Sequence, residues 1–243
     1  MPIPDPAETI GFNRFLAALP QDEFDRIKDA LQGVDLKVDQ ILWDAEEKGN
    51  HIYFPTSSLI SLLFETHDGS SISIATIGRN GVVGISLVLG GMRSPDRAIV
   101  QFPGTAFKMD SSRATDEFAD CGTFQDMLMA YTQLLITRVS LNAICNRLHR
   151  IEQQVAWLLL NARDELQRTT LPLTHDQIST MLGVRRESVS LAVAQLQRKR
   201  TIEAKRGRIK ILNESMLKKA SCECYFVCQQ QLEQCLREFA GKS

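Results

Sequence analysis

The stretch from Thr174 to Lys199, THDQISTMLGVRRESVSLAVAQLQRK, constrains the fold of this chain more than any other. Thr174 and Gln177 have the spacing of a capping box, which predicts the start of a helix. Gly183 follows the apolar residues of that helix and favours its end, because glycine adopts a left-handed conformation at low cost. A second helix is predicted from about Arg186 to Lys199. The sequence therefore predicts two short helices joined by a glycine turn.

Apolar residues at helical spacing define an inner face on these helices. The inner residues are Ile178, Met181, Leu182, Val189, Val193 and Leu196. The outer face of the second helix carries Arg186, Glu187, Ser190, Leu191 and Ala194. Arg186 can donate hydrogen bonds to guanine, Glu187 can accept one from cytosine, and Leu191 can contact a thymine methyl group. The pattern predicts a helix that reads the major groove of DNA; the alternative is a capped helical hairpin with a solvated face.

Two short alternating runs follow the second helix and predict a β-hairpin around Gly207. Lys205 and Arg208 on this hairpin can lie along phosphates, as the wing of a winged helix does. Residues 163–219 hold thirteen basic and six acidic residues, a charge of +7, whereas the whole chain carries −1. The positive charge is therefore concentrated around the predicted groove-reading helix, which favours nucleic-acid binding.

The sequence LTHDQISTMLGVRRESVSLAVAQLQRKRTIEA resembles the DNA-binding domain of the Crp/Fnr superfamily of bacterial transcription regulators. That family opens its recognition helix with Ser-Arg-Glu-Thr/Ser-Val, and residues 186–189 match the last four positions. Arg185 replaces the usual Ser, and Leu191 stands where a third base-contacting Arg is common, so a different half-site is expected. Together the predicted DNA contacts are Thr174, Arg185, Arg186, Glu187, Ser188, Ser190, Leu191, Lys205 and Arg208.

The N-terminal two-thirds of the chain predict short helices followed by strands. Helices are expected at 11–19 and 21–31, on either side of Pro20. The predicted strands are Val34–Leu42, His51–Pro55, Leu59–Glu65, Ser71–Ile77, Ala98–Phe102 and Thr105–Met109. Turn signals lie at 66–69, where Asp-Gly favours a hairpin, and at 79–81. This pattern predicts a small antiparallel roll or barrel, and the resemblance implies a β-roll related to cyclic-nucleotide-binding domains.

The resemblance also implies an effector pocket in this roll. In the family, backbone amides after a glycine and an Arg bind the phosphate of the ligand, and a Glu binds the ribose hydroxyls. Ile85 stands in the Glu position and cannot accept these hydrogen bonds; a buried, unpaired hydroxyl costs about 1–3 kcal/mol. We therefore expect an unknown small-molecule effector other than a cyclic nucleotide, or none. The candidate effector residues are Gly84, Ile85, Ser86, Arg93, Ser94 and Arg97, of which Arg97 is the better match for the phosphate Arg.

A long helix is predicted from Phe124 to Leu148, with two apolar stripes. One stripe is expected to face its own roll, and the other, over Leu128–Leu135 with Asn142 in the same series, to form a seam with a second copy. The alternative is a helix buried within one protomer. A further helix is predicted over Ile151–Glu165, after a hinge at 147–150. The expected α+β architecture has a β-roll domain at 1–122, a dimerisation helix at 123–148 and a winged helix-turn-helix domain with a C-terminal helix at 149–243.

Four of the six cysteines lie near the C-terminus. Cys222, Cys224, Cys228 and Cys235 have the spacing C-x-C-x3-C-x6-C. On a helix, the last three share a face and Cys222 points to nearly the opposite side. We expect these thiols to pack as small apolar groups; a redox or metal site is the alternative, since the spacing is a weak zinc signal. No signal peptide or membrane span is expected, so the predicted location is cytoplasmic, where disulfides are rare.

Enzyme motifs are not found in the sequence. No G-x-S-x-G, P-loop or G-x-G-x-x-G motif occurs, and no two histidines have metal-ligand spacing on a helix. We expect no catalytic residues, no cofactor and no metal. The expected function is transcription regulation by a homodimer on a two-fold-related DNA site, with double-stranded DNA, itself and RNA polymerase as partners and no membrane. The alternative is a ligand-binding or adaptor module whose winged helix contacts protein or RNA.

Overall fold

The computed structural model describes residues 13–47, 49–67, 69, 71–90 and 95–240. The N-terminal part contains helices α1 (Arg14–Ala17), α2 (Gln21–Ile27), α3 (Ile85–Leu89) and α4 (Ser111–Ala119), with a 3-10 turn at Lys28–Ala30. Its strands are β1 (Gln32–Leu36), β2 (Ile41–Trp43), β3 (His51–Pro55), β4 (Leu59–Glu65), β5 (Ser71–Ile77), β6 (Arg97–Phe102) and β7 (Gly104–Asp110). Strands β3, β4 and β5 have the bounds predicted from the sequence, whereas the sequence pattern did not predict α3 and α4.

Two antiparallel sheets form the roll. One has the strand order β1-β7-β3, and the other has the order β2-β6-β4-β5. Their apolar inner faces enclose a core that includes Ile52, Phe54 and Phe107. The predicted antiparallel roll within an α+β fold is therefore confirmed.

The single strand predicted over Val34–Leu42 is wrong, because this segment belongs to two strands in different sheets. Strand β1 pairs with β7, and β2 pairs with β6. Between them Asp39 has a φ of 61°, a left-handed conformation that reverses the chain locally. The apolar and polar residues alternate without interruption as far as Val38, so the pattern gave no sign of this turn.

Two predicted elements lie partly outside the described residues. Of the helix predicted at 11–19, the structure describes α1 and its N-cap Asn13, whose Oδ1 accepts hydrogen bonds from the backbone of Phe15 and Leu16. The turn predicted at 66–69 includes Asp68, which is not described. Gly69 has a φ of 82° there, and its N–H donates to the carbonyl of Thr66 at 2.9 Å.

Helix α5 (Thr123–Leu148) and helix α6 (Ile151–Leu166) follow the roll. The predicted seam over Leu128–Leu135 is wrong, since Leu128 is fully buried in the core of its own roll. Asn142 does not mark a seam either, because its Nδ2 donates to the carbonyl of Ile74 on β5 at 3.1 Å. The exposed apolar residues of α5 are Met129, Ile136, Val139, Ile144 and Leu148. Helical periodicity grouped residues by face, but it could not tell which face the roll covers.

The C-terminal part contains β8 (Thr170–Leu171), α7 (His175–Leu182), α8 (Arg186–Arg198), β9 (Ile202–Lys205), β10 (Arg208–Ile211), α9 (Glu214–Ala220) and α10 (Glu223–Ala240). Its strands form an antiparallel sheet in the order β8-β10-β9. Apolar side chains of α6, α7, α8 and the hairpin form a second core, which confirms the predicted winged helix-turn-helix. Among the helices that the structure describes, none is both long and apolar enough to cross a bilayer.

The roll and the C-terminal part pack together. Leu59 and Phe102 of the roll extend into the second core. A buried ion pair joins α5 to α6, where Arg138 donates to Glu165 Oε1 at 3.2 Å. The backbone N–H of Asn80 in the roll donates to Glu165 Oε2 at 3.1 Å. These contacts link the roll, the long helix and the helix-turn-helix through one carboxylate.

The cysteines are not arranged as predicted. Cys222 precedes helix α10, so the helical wheel does not apply to it. Instead of pointing away from Cys224, it lies with Cys224 next to Cys145 on α5, and its Sγ is 3.5 Å from that of Cys145. Cys228 is buried and Cys235 is half-buried, as expected for thiols that pack against apolar surface.

Candidate nucleic-acid interface

Local residues fix the start and end of helix α7. Thr174 Oγ1 accepts from the backbone N–H of Gln177 at 3.1 Å, and Gln177 Oε1 accepts from the N–H of Thr174 at 3.0 Å. The predicted capping box is therefore present. Gly183 ends the helix with a φ of 63°, and a Cβ there would lie 2.5 Å from the Ile72 Cδ1 of the roll. The turn thus requires glycine both for its backbone conformation and for its close approach to β5.

The outer face of α8 is exposed at its N-terminal half. Arg185, Arg186 and Glu187 are exposed, and the side chain of Leu191 is 68% exposed. On the opposite face, the buried residues Val189, Ala192, Val193 and Leu196 anchor the helix in the second core. Polar groups that can bond to base edges therefore face solvent on a helix that its apolar face holds in place.

Two of the predicted contact residues on α8 bind partners on α7. The Nε of Arg186 lies 2.9 Å from Asp176 Oδ1, and the Oγ of Ser190 lies 3.0 Å from His175 Nδ1. Sequence analysis did not predict these roles of His175 and Asp176, because nothing in the local pattern relates them to α8. The side chains of the ion pair are 62% and 71% exposed. Such a surface ion pair contributes little to the free energy of folding. Arg186 can therefore leave Asp176 and bind a base edge at a small cost in free energy.

The hairpin β9–β10 forms a basic wing beside the two helices. Lys205 and Arg208 are paired in register on either side of its turn, where Gly207 has a φ of 71°. Lys205 lies 2.9 Å from Glu203 Oε1 and lowers the pKa of that carboxyl by a hydrogen bond. A groove of about 420 Å³ separates the wing from the start of α7, and its lining includes Thr174, Arg186, Lys205 and Arg206. Its basic side chains and the N-terminus of α7 can bind the phosphates of a nucleic-acid backbone.

The residues predicted to bind an effector have structural roles where they are described. Gly84 is the N-cap of α3 with a φ of 96°, a conformation that favours glycine. Ile85 is buried in the roll core, and Ser86 is exposed. Arg93 and Ser94 lie outside the described residues.

Arg97 on β6 is engaged by acidic side chains. Its Nε donates to Asp44 Oδ1 at 2.7 Å, and its NH2 donates to Asp44 Oδ2 at 3.3 Å. Glu65 Oε2 lies 3.5 Å from the same guanidinium. The hydrogen bond from Arg97 lowers the pKa of Asp44, which keeps the carboxylate charged. Two carboxylates therefore offset the positive charge that an anionic ligand would need.

Residues 153–220 match the family model described as the Crp-like helix-turn-helix domain. This segment is a Crp-like helix-turn-helix domain. The match runs from within α6 to the end of α9 and so includes the wing. The predicted resemblance to the Crp-type DNA-binding domain is therefore confirmed for this segment, which contains α8. A search of curated protein sequences finds no significant match.

The whole fold is similar to that of Crp/Fnr regulators. FixK2 from Bradyrhizobium japonicum superposes with a TM-score of 0.69 at 16% identity over 79% of this chain and 98% of that one. The c-di-GMP responsive global regulator CLP from Xanthomonas campestris gives 0.65 at 11% identity over 79% and 99%. A transcriptional regulator of the CRP family from Thermus thermophilus gives 0.63 at 16% identity over 77% and 96%. At these identities the likeness establishes the Crp/Fnr fold, with a roll, a long helix and a Crp-like domain.

Proposed function

We propose that this chain is a homodimeric, sequence-specific transcription regulator of the Crp/Fnr type. The observation that carries the proposal is the exposed start of α8 beside a basic wing, within a Crp-like domain. In this proposal the winged helix-turn-helix unit at 149–243 binds DNA through α8 and the wing, residues 123–148 dimerise, and the roll at 1–122 senses an effector. The function is binding rather than catalysis.

Base reading is assigned to the first two turns of α8. The guanidinium of Arg186 can donate to guanine O6 and N7, and the carboxylate of Glu187 can accept from cytosine N4. The exposed side chain of Leu191 can contact a thymine methyl group, in the position where many relatives carry a third Arg. Arg185 begins the helix and can contact a phosphate instead of a base. The recognised half-site is therefore expected to differ from the commonest one in the family.

Phosphate binding is assigned to the wing and to the start of α7. Lys205 and Arg208 lie on the wing, and Thr174 caps α7, whose N-terminus is the positive end of the helix dipole. These contacts position a protein on DNA without reading the sequence. Their charges supply the salt-dependent part of the affinity.

Dimerisation is assigned to the exposed face of α5. Met129, Ile136 and Val139 on this face are 54%, 55% and 42% exposed, and they continue toward Ile144 and Leu148. The steps of seven and three residues from 129 to 136 and 139 follow the spacing of a coiled-coil seam. An apolar row of this length on a surface helix is typical of an interaction face. The same face of α5 in a second copy of the chain can cover it in a two-fold symmetric dimer. Such a dimer would present two recognition helices to one duplex.

The effector is proposed to be something other than a cyclic nucleotide. Ile85 is buried in the roll core, so a ribose hydroxyl finds no acceptor at this position. Asp44 and Glu65 surround the guanidinium of Arg97. A phosphate ligand would have to displace them and would meet their negative charges.

A selected-site binding experiment tests the function. A random duplex library should yield a two-fold-related motif. Arg186→Ala should cost about 1–3 kcal/mol on that motif and relax specificity at one base pair of each half-site. Lys205→Ala and Arg208→Ala should weaken all sequences alike and reduce the slope of log K against log salt by about one each.

Arg237→Ala is the matched control, because Arg237 is exposed on α10, outside the Crp-like domain. It should leave the selected motif and the salt slope unchanged. If the library yields no motif, or if Arg186→Ala keeps the full specificity, the assignment of α8 as a base-reading helix is wrong. Tighter binding to single-stranded RNA or to a protein than to any duplex would favour the adaptor function.

A further inference from the structure

A cluster of sulfur and nitrogen atoms lies where the long helix ends. Cys145 occupies the last turn of α5, and His149 is the residue that ends this helix. Cys222 and Cys224 come from the junction between α9 and α10. One ligand atom from each of the four residues, three Sγ and a ring nitrogen, lies within 4.8 Å of the others. Three thiol sulfurs and one imidazole nitrogen thus surround one point. More than seventy residues separate Cys145 and His149 from Cys222 and Cys224 along the chain.

We propose that Cys145, His149, Cys222 and Cys224 form a binding site for one Zn²⁺ ion. A Cys₃His set is a common ligand set of structural zinc, which prefers tetrahedral coordination. Zinc–ligand lengths of about 2.3 Å for sulfur and about 2.0–2.1 Å for nitrogen give tetrahedral edges of about 3.8 Å and about 3.6 Å. The Cys145–Cys222 Sγ separation is 3.5 Å, and Cys224 Sγ lies 3.7 Å from His149 Nδ1. Two of the six edges of the cluster therefore match those of a zinc tetrahedron, and the other four are at most 4.8 Å.

The orientation of His149 supports a metal at its Nδ1. The other ring nitrogen, Nε2, lies 3.2 Å from Glu223 Oε1. Metal-bound histidines usually donate their second ring N–H to a carboxylate or a carbonyl, which fixes the tautomer and the ring plane. Glu223 itself is exposed, with 75% of its side chain accessible, so this contact is not required for folding of the core. The geometry assigns Nδ1 as the ligand atom and Glu223 as the residue that positions the ring.

Burial and hydrogen bonding also favour a closed site. Cys145, Cys222 and Cys224 are at most 5% exposed, and the His149 side chain is 12% exposed, so the four donors are largely shielded from solvent. Gln154 on α6 donates from Nε2 to the carbonyls of Cys145 and His149 at 3.1 and 2.9 Å. This amide holds the corner between α5 and α6 that carries two of the ligands. Such a closed site is typical of structural zinc.

Zinc binding would change the protonation of the cluster. The thiolate is the form that binds metal. When Zn²⁺ binds, the thiol protons of the three cysteines pass to solvent, while His149 binds as the neutral ring. Donor atoms this close together surround a single ion, whereas a multi-iron cluster would force them apart.

The site would attach the C-terminal helix to the end of the long helix. Cys145 and His149 flank the turn from α5 to α6, which is the turn between the long helix and the Crp-like domain. A bound ion would add a third attachment at this corner, besides the apolar contacts and the Gln154 bonds. The zinc site does not depend on whether the Crp-like domain binds DNA.

Metal analysis of the full chain tests the proposal. Protein purified with reductant and added Zn²⁺ should hold one equivalent per chain. Titration of metal-stripped protein with Co²⁺ should give an intense thiolate charge-transfer band and the visible bands of a tetrahedral ion. Removal of the metal should lower the thermal midpoint. If the reduced chain binds neither ion, or if peptide mapping of that preparation shows a Cys145–Cys222 disulfide, the proposal is wrong.

Substitutions separate a metal site from general thiol reactivity. Cys224→Ser and Cys145→Ser should abolish stoichiometric binding and the effect of metal on the thermal midpoint. Glu223→Gln should keep the fold and weaken Co²⁺ affinity about 10–100-fold, because it removes the carboxylate partner of His149. Cys121→Ser is the matched control, an exposed thiol outside the cluster. Equal loss in Cys121→Ser, or unchanged affinity in Glu223→Gln, would contradict the assigned ligands.

Discussion

The buried Arg138–Glu165 pair offers a quantitative test of how the roll is joined to the Crp-like domain. Its side chains are 8% and 1% exposed, and Glu165 also accepts the backbone N–H of Asn80. Burial disfavours the charged form of Arg138, but the adjacent Glu165 carboxylate and other groups leave its pKa above the ordinary value. The guanidinium therefore stays charged, and the pair is a true ion pair inside the protein.

Removal of one partner leaves the other charge buried. Arg138→Met keeps the volume but removes the ion-pair partner of the buried Glu165 carboxylate, and breaking a buried pair in this way costs about 3–5 kcal/mol. Glu165→Gln keeps an oxygen for Asn80 but leaves the guanidinium uncompensated, so a loss of similar size is expected. The double variant removes both charges of the buried pair. It should be more stable than the sum of the two losses predicts by about 2 kcal/mol or more.

Urea unfolding followed by circular dichroism measures these changes. All variants are compared at one fixed protein concentration, because unfolding of the proposed dimer would depend on concentration. The control is Arg14→Met. Arg14 lies only 2.8 Å from Glu233, but these side chains are 36% and 42% exposed, so the expected loss is about 0–1 kcal/mol. If Arg138→Met costs as little as Arg14→Met, or if the two losses at 138 and 165 are additive, burial does not set the strength of this pair.

Three further outcomes are expected. Ile136→Asp should yield monomers in light scattering, because two copies lose about 1.5–3 kcal/mol of apolar burial each, equivalent to at least about a hundredfold in Kd. A dimer that persists would refute the proposed seam. Gly81→Ala should lower the free energy of unfolding by about 1–3 kcal/mol, since its Cβ would overlap the buried Tyr131 hydroxyl, whereas Gly90→Ala, whose Cβ would have none of the described atoms within 4 Å, should be neutral. Calorimetry with cAMP should show no saturable binding; micromolar affinity accompanied by tighter DNA binding would contradict the proposed effector class.

Sequence patterns predicted the Crp-like domain well because its signals are local. The capping box at Thr174, the glycine turn at Gly183 and the alternation around Gly207 each involve residues within a few positions of one another. Helix caps and turns are decided by backbone conformation and by hydrogen bonds between near neighbours. The same local signals predicted three strands of the roll with their bounds.

The tertiary structure decided whatever depends on residues far apart in the chain. The switch of sheets near Asp39 depends on which strands are available to pair with β1 and β2, and the exposed face of α5 depends on where the roll packs. The metal-ligand cluster depends on both the end of α5 and the start of α10. The i,i+4 spacing of Cys145 and His149 was visible in the sequence, but only the fold brings Cys222 and Cys224 to them. A linear pattern records the character of each side chain, whereas packing determines which distant side chains meet.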